Sequence, residues 1–459
     1  MKTPRLLQLS AVALVTLAPH TMATNGYFTH GVGSHNKALA GAGLAAPSQA
    51  IDAASNPASA LLVEDQSNAG LSIFSPQRSY TASTSLAQGN MGAFSITTQG
   101  TLDSDSEYFP IPHYARKWTL DDTSALAFTF YGRGGMNTDW QGGSATFDPD
   151  GGMGPAPVMT MAGTFGMGDA GVNLNQAFVE LAYAKRLTDT VVVGISPVVV
   201  LQAFEAKGLE AFTGYTKTFA SNLPMGAPAG SLTGNGHDTS YGVGLKVGVN
   251  WQLSDGLTFA FAHQTEVKMS EFDDYSDLFA EAGGFDIPAS TRIGLSVQAS
   301  PNLSIHVDGE SIGYSDIPSV GNSGANVYQC PTAGQGFNAI DNCLGGNNGA
   351  GFGWDDMSVI KVGLTWSSDR LPGTTFRAGV SLGDQPIQPG EVLFNILAPG
   401  VMEQHLTFGI ARELGNGKEW GATFMYAPEE SVKGSSLFDP TQTIELSMKQ
   451  FEVEFYYTW

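Results

Sequence analysis

The sequence has little positive charge and no long apolar run after its first residues. Its 459 residues carry 21 Lys and Arg against 43 Asp and Glu, a formal net charge of −22. Nucleic-acid binding uses basic stripes, so this acidity argues against a nucleic-acid partner. A transmembrane helix needs roughly 20 consecutive apolar residues, and none occurs beyond residue 23. Membrane-spanning strands are still compatible with the mean hydropathy of −0.04, because their side chains alternate between apolar and polar.

Cysteine is also scarce. Cys330 and Cys343 lie in a stretch rich in Gly and Asn. A metal site would need further ligands, and the eight histidines are scattered without metal-ligand spacing. We therefore expect a disulfide between these two cysteines, no metal and no other cofactor. A disulfide requires an exported chain.

The N-terminus predicts that export. Lys2 and Arg5 precede a short apolar stretch, Leu6–Leu17, and small residues follow at Thr21–Ala23. This is the pattern of a secretory signal peptide over residues 1–23, cleaved near Ala23. The apolar stretch is too short for a membrane anchor.

The last nine residues have the strictest alternation in the chain. Phe451, Val453, Phe455, Tyr457 and Trp459 fall on one face of a strand, and the other face carries two glutamates. An aromatic and apolar face opposite a charged face suits a wall between lipid and water, as in an outer-membrane β-barrel. A soluble edge strand could show the same alternation.

Strand-like segments recur in pairs joined by short turns rich in Asp, Gly, Asn and Pro. The predicted strands are Leu71–Tyr80, Tyr108–Trp118, Thr123–Gly132, Asn173–Lys185, Thr190–Phe204, Ser240–Gln252, Leu257–Val267, Ser290–Gln298, Leu303–Ile312, Ser358–Trp366, Thr375–Ser381, Glu403–Arg412, Glu419–Ala427 and Glu445–Trp459. Seven long connections separate the pairs, near residues 82–106, 135–172, 206–238, 269–288, 314–356, 383–402 and 428–444. Short turns alternating with long loops predict an all-β membrane protein, a 14-stranded antiparallel barrel over residues 67–459.

Residues 24–66 precede the barrel and show no alternation. They are rich in Ala and Gly, carry little charge and contain the break Asn56-Pro57. We expect a compact hatch that plugs the lumen, with a periplasmic tail as the alternative. Val191–Leu201 is apolar on both faces, so one apolar face points into the lumen. Either the hatch packs there or the lumen holds a pocket for a hydrophobic ligand.

The ordered motifs of the chain resemble the FadL/OmpP1/TodX family of outer-membrane transporters for hydrophobic compounds. The resemblance covers essentially the whole chain after the signal peptide. The motifs that carry it are Asn25-Gly26-Tyr27-Phe28, Ala38–Gly43, Ala54-Ser55-Asn56-Pro57-Ala58, Pro110–Tyr114, Tyr131-Gly132, Thr265–Met269, Asp286-Ile287-Pro288 and Phe376–Val380 with Pro386.

This resemblance implies passive transport of long-chain fatty acids or hydrocarbons and no enzymatic activity. Loops capture the ligand, a luminal pocket holds it, and movement of the hatch N-terminus near Thr24–Phe28 releases it sideways through a gap at the third strand. Asn25, Tyr27 and Phe28 and the hatch element Asn56-Pro57-Ala58 are then the expected binding and gating residues. Gly132, Gly134 and Gly135 could allow the kink, since glycine accepts unusual dihedrals. The alternative is that these glycines merely begin the second loop.

The sequence constrains the substrate class less than it constrains the fold. Fatty-acid transporters of the family have basic residues near the pocket, yet Gln202–Glu205 and Trp354–Asp356 offer none at the corresponding places. Lys207 and Lys217 are the remaining candidates for a carboxylate contact. We favour long-chain fatty acids, with neutral alkanes or aromatic hydrocarbons as the alternative substrates. An adhesin, a phage receptor and a barrel enzyme are less favoured functions.

The expected location is the bacterial outer membrane. Expected partners are hydrophobic small molecules, outer-membrane lipid, and lipopolysaccharide bridged to the acidic loops by divalent cations. The C-terminal strand ending at Trp459 is the expected contact for the barrel-assembly machinery.

Overall fold

The computed structural model describes residues 25–148 and 156–459. The predicted signal peptide, residues 1–23, and Thr24 at the start of the predicted hatch lie outside the described residues. Within the described ranges, no helix combines the length and the apolar composition needed to cross a membrane.

Fourteen antiparallel strands form one closed sheet, which confirms the predicted fold class and strand number. The sheet closes because β14 pairs with β1, from Thr458 opposite Asn68 to Ile444 opposite Ala82. The strands are β1 (Ser67–Ala82), β2 (Phe109–Asp121), β3 (Ser124–Asn137), β4 (Gly171–Thr188), β5 (Val191–Lys207), β6 (Asp238–Ser254), β7 (Leu257–Gln264), β8 (Ser290–Ser300), β9 (Leu303–Ile312), β10 (Met357–Ser367), β11 (Thr374–Gly383), β12 (Gln404–Gly415), β13 (Lys418–Ser436) and β14 (Asp439–Thr458).

The predicted short turns lie together at the end of the barrel where β1 begins and β14 ends, the short-turn end. The opposite end, the loop end, carries the long connections. One predicted long connection, residues 428–444, is wrong: β13 continues to Ser436, and β14 begins at Asp439. A register shift between Ala427 and Glu430 accommodates Pro428, after which Glu430 pairs opposite Met448. Proline is tolerated at a β-bulge, so the interrupted alternation led to a false loop.

The other long loops contain short elements. A small three-stranded sheet, Phe94–Ile96, Ser144–Phe147 and Met159–Ala162, joins the first loop to the second. Thr101–Asp103 pairs with β1, and Lys268–Met269 pairs with β6. The helical elements of the loops are Asn90–Gly92, Glu210–Tyr215, Lys217–Ser221, Asp273–Tyr275, Ala280–Gly283, Tyr314–Asp316, Pro318–Gly321, Gly324–Gln329, Pro331–Ala333, Ile340–Asn342, Pro389–Glu391 and Phe394–Ile396.

The alternation predicted for the last strand is present in β14. Phe455 points outward and is 61% exposed, whereas Glu452 and Glu454 are buried inside the barrel. The outward face of the wall is apolar, which suits contact with lipid. The charged face is turned toward the lumen.

The hatch lies inside the lumen, as predicted. It contains helix α1 (Ser34–Ala38) and two 3₁₀ turns, Ala50–Ala54 and Pro57–Leu61. Lys37 of α1 forms ion pairs with Glu452 and with Glu454, the latter at 2.6 Å. The inward glutamates of β14 therefore hold the hatch, and leaving either side without its partner would bury an uncompensated charge.

Opposite these ion pairs, the hatch packs closely against β5 and β6. The amide of Asn56 donates to the carbonyl of Val249 at 3.1 Å, and its side-chain oxygen accepts from the N–H of Ala58 at 3.0 Å. Gly194 and Gly248 face this turn, and a Cβ at either position would overlap it. Because glycine occupies these two positions, the Asn-Pro-Ala element can lie directly against the barrel wall.

Replacing Gly248 by Val should unseat the hatch, because the new side chain would occupy the place of Asn56 Oδ1. We expect a folded barrel that is less stable by about 1–3 kcal/mol, the usual cost of overpacking. Limited proteolysis read by mass spectrometry should then show cleavage within residues 25–66. Gly309→Val is the control, since a Cβ there meets its nearest neighbour, Ile293, at 3.5 Å. A hatch in Gly248→Val as protected as in the wild type would contradict this packing.

Candidate functional site

An apolar cavity, the outer cavity, lies among the loops at the loop end. It encloses about 550 Å³ of empty space. Its lining is Val172, Phe204, Leu209, Phe212, Leu232, Leu278, Phe279, Ser319, Leu344, Ala350, Gly351, Phe352, Phe394 and Leu397. Ser319 contributes the single hydroxyl of this set, so the cavity suits a hydrophobic guest.

The predicted disulfide between Cys330 and Cys343 is present in the loop between β9 and β10. It directly precedes Leu344, which lines the outer cavity. The N–H of Leu344 donates to the carbonyl of Tyr215 at 2.9 Å, and its carbonyl accepts from the N–H of Lys217 at 2.8 Å. The cross-link therefore fixes a loop segment that forms part of the outer cavity.

A second apolar cavity, the inner cavity, lies beside the N-terminus of the hatch and encloses about 350 Å³. Its lining is Gly26, Tyr27, Phe74, Pro76, Arg78, Gly135, Met136, Asn137, Trp354, Ala398, Pro399, Gly400 and Met448. Hatch, β1 and β3 thus share one cavity with the loops that precede β10 and β12. Tyr27 of the hatch packs against other aromatic side chains around this cavity. Its ring centre lies 5.0 Å from that of Tyr314 and 6.0 Å from that of Trp354.

The barrel wall is interrupted next to this cavity. β2 and β3 pair from Ser124 up to Tyr131, which lies opposite His113, and no pairing joins Phe109–Pro112 to Gly132–Asn137 in the described chain. β3 remains paired with β4 as far as Asn137, with a register shift between Gly132 and Gly134. Arg133 is therefore the extra residue of a β-bulge, which bends a strand away from its neighbour.

The N-terminal segment of the hatch pairs with the free part of β3. Phe28 forms an antiparallel bridge with Gly134. The N–H of Thr29 donates to the carbonyl of Arg133 at 2.8 Å, and the N–H of Gly135 donates to the carbonyl of Tyr27 at 3.1 Å. The hatch thus replaces β2 as the hydrogen-bonding partner of β3.

The predicted gating residues are therefore brought together, although their role in gating stays a prediction. Asn25 closes a turn with Phe28, its N–H donating to the Phe28 carbonyl at 2.8 Å. Gly132 stands where β3 departs from β2. A Cβ at Gly134 would overlap the side-chain oxygen of Gln176, so any larger residue there would require the Gln176 side chain to move. The alternative, that these glycines only begin a loop, does not hold, since β3 continues to Asn137.

The element Asn56-Pro57-Ala58 lies elsewhere, against β5 and β6, and lines neither the outer nor the inner cavity. Its position fits a role in seating the hatch rather than in touching a ligand. Lys207 and Lys217 also line neither cavity. Each faces an aspartate, Lys207 with Asp139 at 2.6 Å and Lys217 with Asp341 at 3.5 Å.

The basic residue at the inner cavity is Arg78 of β1, which the sequence reasoning missed. Its guanidinium donates to the carbonyls of Asn137 and Ser106, stacks over the ring of Phe109 at 5.6 Å and has no ion pair within the described residues. Its Nε is buried without a hydrogen-bond partner there. Strand alternation was the available signal, because Phe74, Pro76 and Arg78 share the inward face of β1.

A closed barrel with an internal hatch, two apolar cavities and an interrupted wall defines the class: an outer-membrane channel for hydrophobic compounds. A family model described as outer membrane protein transport protein (OMPP1/FadL/TodX) matches residues 12–396, and the chain belongs to this family. The family consists of transport channels of the bacterial outer membrane and not of enzymes.

Solved structures share the fold at low sequence identity. The toluene transporter TodX of Pseudomonas putida is 13% identical with a TM-score of 0.57, over 95% of this chain and 99% of TodX. A Pseudomonas aeruginosa FadL homologue is 13% identical with a TM-score of 0.60, over 94% and 98% of the two chains. The Ralstonia pickettii toluene transporter TbuX is 15% identical with a TM-score of 0.52, over 93% and 98%. No curated protein sequence gives a significant match.

Proposed function

We propose that the protein takes up long-chain fatty acids passively and releases them sideways into the outer membrane. The outer cavity captures the acyl chain, the inner cavity receives it, and the chain leaves between β2 and β3. The observation that carries this proposal is the position of the inner cavity. Gly26 and Tyr27 of the hatch line it together with Gly135–Asn137 of the free part of β3.

The energetics favour such a route. Each methylene exposed to water costs about 0.8 kcal/mol, so an apolar conduit removes the main barrier without an energy source. Unpaired backbone in a barrel wall is tolerated only where other groups cover it. Here Tyr27–Thr29 provide that cover, and their displacement by ligand would open the wall.

Arg78 supports an anionic substrate. A buried guanidinium whose hydrogen bonds go to neutral oxygens leaves a positive charge without an ion-pair partner among the described residues, beside the inner cavity. Neutral hydrocarbons are the second candidate, because the outer cavity is almost wholly apolar and several structures that share the fold are toluene transporters. Contacts with lipopolysaccharide, and recognition of the strand ending at Trp459 by the barrel-assembly machinery, are also proposals.

Deleting Arg133 should close the lateral route. Without the extra residue β3 regains a continuous register with β4, and we expect its outer part to turn back to β2. Uptake of radiolabelled oleate by cells lacking their own transporter should fall at least about tenfold, because the gap between β2 and β3 would be closed. Arg133→Lys is the matched control, because it keeps both the bulge and the positive charge, and heat-modifiability on gels reports folding of both variants. Undiminished uptake by a folded deletion variant would refute lateral release.

Arg78→Met should separate the two substrate classes. Losing a charge-assisted hydrogen bond costs about 1.5–3 kcal/mol, so oleate affinity should fall about 10- to 100-fold. Uptake of hexadecane or toluene should remain unchanged. Lys207→Met and Lys217→Met serve as controls and should leave oleate binding intact. If Arg78→Met binds oleate like the wild type while Lys207→Met does not, the carboxylate contact lies at the loop end instead.

A further inference from the structure

A buried polar cavity lies under the hatch, next to the bulge of β3. It encloses about 400 Å³ and is distinct from the outer and inner cavities. Its lining is Thr29, His30, Gly31, Val32, Ala54, Ser55, Arg133, Lys246, Ala262, Gln264, Ser290, Arg292 and Glu310. Hatch residues 26–27 line the inner cavity and residues 29–32 line this polar cavity, so the pairing of the hatch with β3 separates the two.

Positive charge predominates around the polar cavity. Arg133, Lys246 and Arg292 line it and are each at least nine-tenths buried, against the single carboxylate of Glu310. Lys246 pairs with Glu180 at 2.6 Å, and Arg292 pairs with Asp308 at 3.3 Å. Glu310 faces three cations, Arg133 at 3.5 Å, Lys361 at 2.5 Å and the Nε of Arg292 at 3.9 Å. Four cations therefore share the three carboxylates of Glu180, Asp308 and Glu310, while Glu452, which is already paired with Lys37, lies 3.8 Å from Nδ1 of His30.

Five of the lining residues have buried polar atoms that find no hydrogen-bond partner among the described residues. These atoms are Thr29 Oγ1, His30 Nδ1, Ser55 Oγ, Gln264 Nε2 and Arg292 Nε. Gln264 Oε1 accepts from Arg133 at 2.7 Å, which leaves the Gln264 amide N–H group free to donate. Buried donors without acceptors are costly, so a group that supplies acceptors would stabilise this arrangement.

We propose that the polar cavity is a binding site for an oxyanion of the size of a carboxylate or an inorganic phosphate. Such a group offers several acceptors, which matches the N–H group of Gln264 and the hydroxyls of Thr29 and Ser55. It also supplies negative charge beside Arg133, Lys246 and Arg292, which water does not. Six of the lining residues, Thr29 to Val32 with Ala54 and Ser55, belong to the hatch, and Arg133 is the bulge of β3, so the bound anion bridges both sides of the hatch–wall contact.

Two sources of the anion are chemically equivalent here. One is the carboxylate head group of a fatty acid, an alternative to its contact with Arg78 that rests on the proposed function. The other is a free anion from the surrounding solution, which does not depend on it. Isothermal titration of the detergent-solubilised protein with sodium phosphate, dodecanoate and 1-dodecanol distinguishes them. Phosphate that competes with dodecanoate but not with dodecanol indicates the head group, and phosphate that binds without competing indicates the free anion.

Variants test the site itself. Arg292→Gln should weaken binding of phosphate or dodecanoate by at least about tenfold, the usual effect of losing a charged hydrogen bond. The double variant Thr29→Val/Ser55→Ala should weaken it about three- to tenfold. The double variant removes only hydroxyls without protein partners, so it should fold normally even if Arg292→Gln does not. Arg377→Met is the matched control, because Arg377 is equally buried but lines other cavities.

Wild-type affinities for both phosphate and dodecanoate in the double variant and in folded Arg292→Gln would overturn the anion site. The same holds if neither phosphate nor dodecanoate binds the wild type. Failure of the proposed function has a different signature, in which dodecanoate and dodecanol do not bind at all while phosphate still binds and depends on Arg292.

Discussion

The wall of a membrane barrel has to satisfy its own backbone hydrogen bonds, since lipid offers none. Within the described residues, this chain departs from that constraint between the start of β2 and the end of β3. Tyr27–Thr29 of the hatch satisfy part of the free edge of β3. The position of the hatch, the inner cavity and the bulge at Arg133 all follow from this exchange of partners. A movement of a few hatch residues would expose the gap without breaking the barrel.

The remaining lumen is organised to hold the hatch in place. On one side, ion pairs and hydrogen bonds from β9 to β14 reach α1 and its flanks, among them Lys37 with Glu454 and Lys361 with the carbonyl of His30 at 2.9 Å. On the other side, Asn56-Pro57-Ala58 rests against two glycine-bearing strands. Buried ion pairs contribute little net stability but penalise any misplacement, so they fix the register of the hatch. A plug fixed on both flanks is compatible with the proposed movement of its N-terminal segment.

More of the fold than of the candidate site could be predicted from the sequence. Period-two alternation and turn chemistry are local signals, and they predicted the strand number, the hatch and the six turns of the short-turn end. The hairpin of β13 and β14 was missed because the bulge near Pro428 interrupts the alternation. Gly132, Gly134 and Gly135 lie at the bulge of β3, and their role in a kink stays a prediction. The positions of Arg78 and of the polar cavity could not be predicted, because each depends on contacts between strands that are far apart in sequence. Arg133, Lys246 and Arg292, for example, come together only after the barrel closes.

The most direct test of lateral release is photo-crosslinking with a fatty acid that carries a diazirine near its terminal methyl group, mapped by mass spectrometry in whole cells. The chain should label residues of the inner cavity and the adjoining wall, Met136 and Ile111 in particular. Labelling at the short-turn end, at Glu64 and Gln66 of the hatch and Asn416 of the turn between β12 and β13, would show passage toward the periplasm instead. That result would contradict release through the gap between β2 and β3.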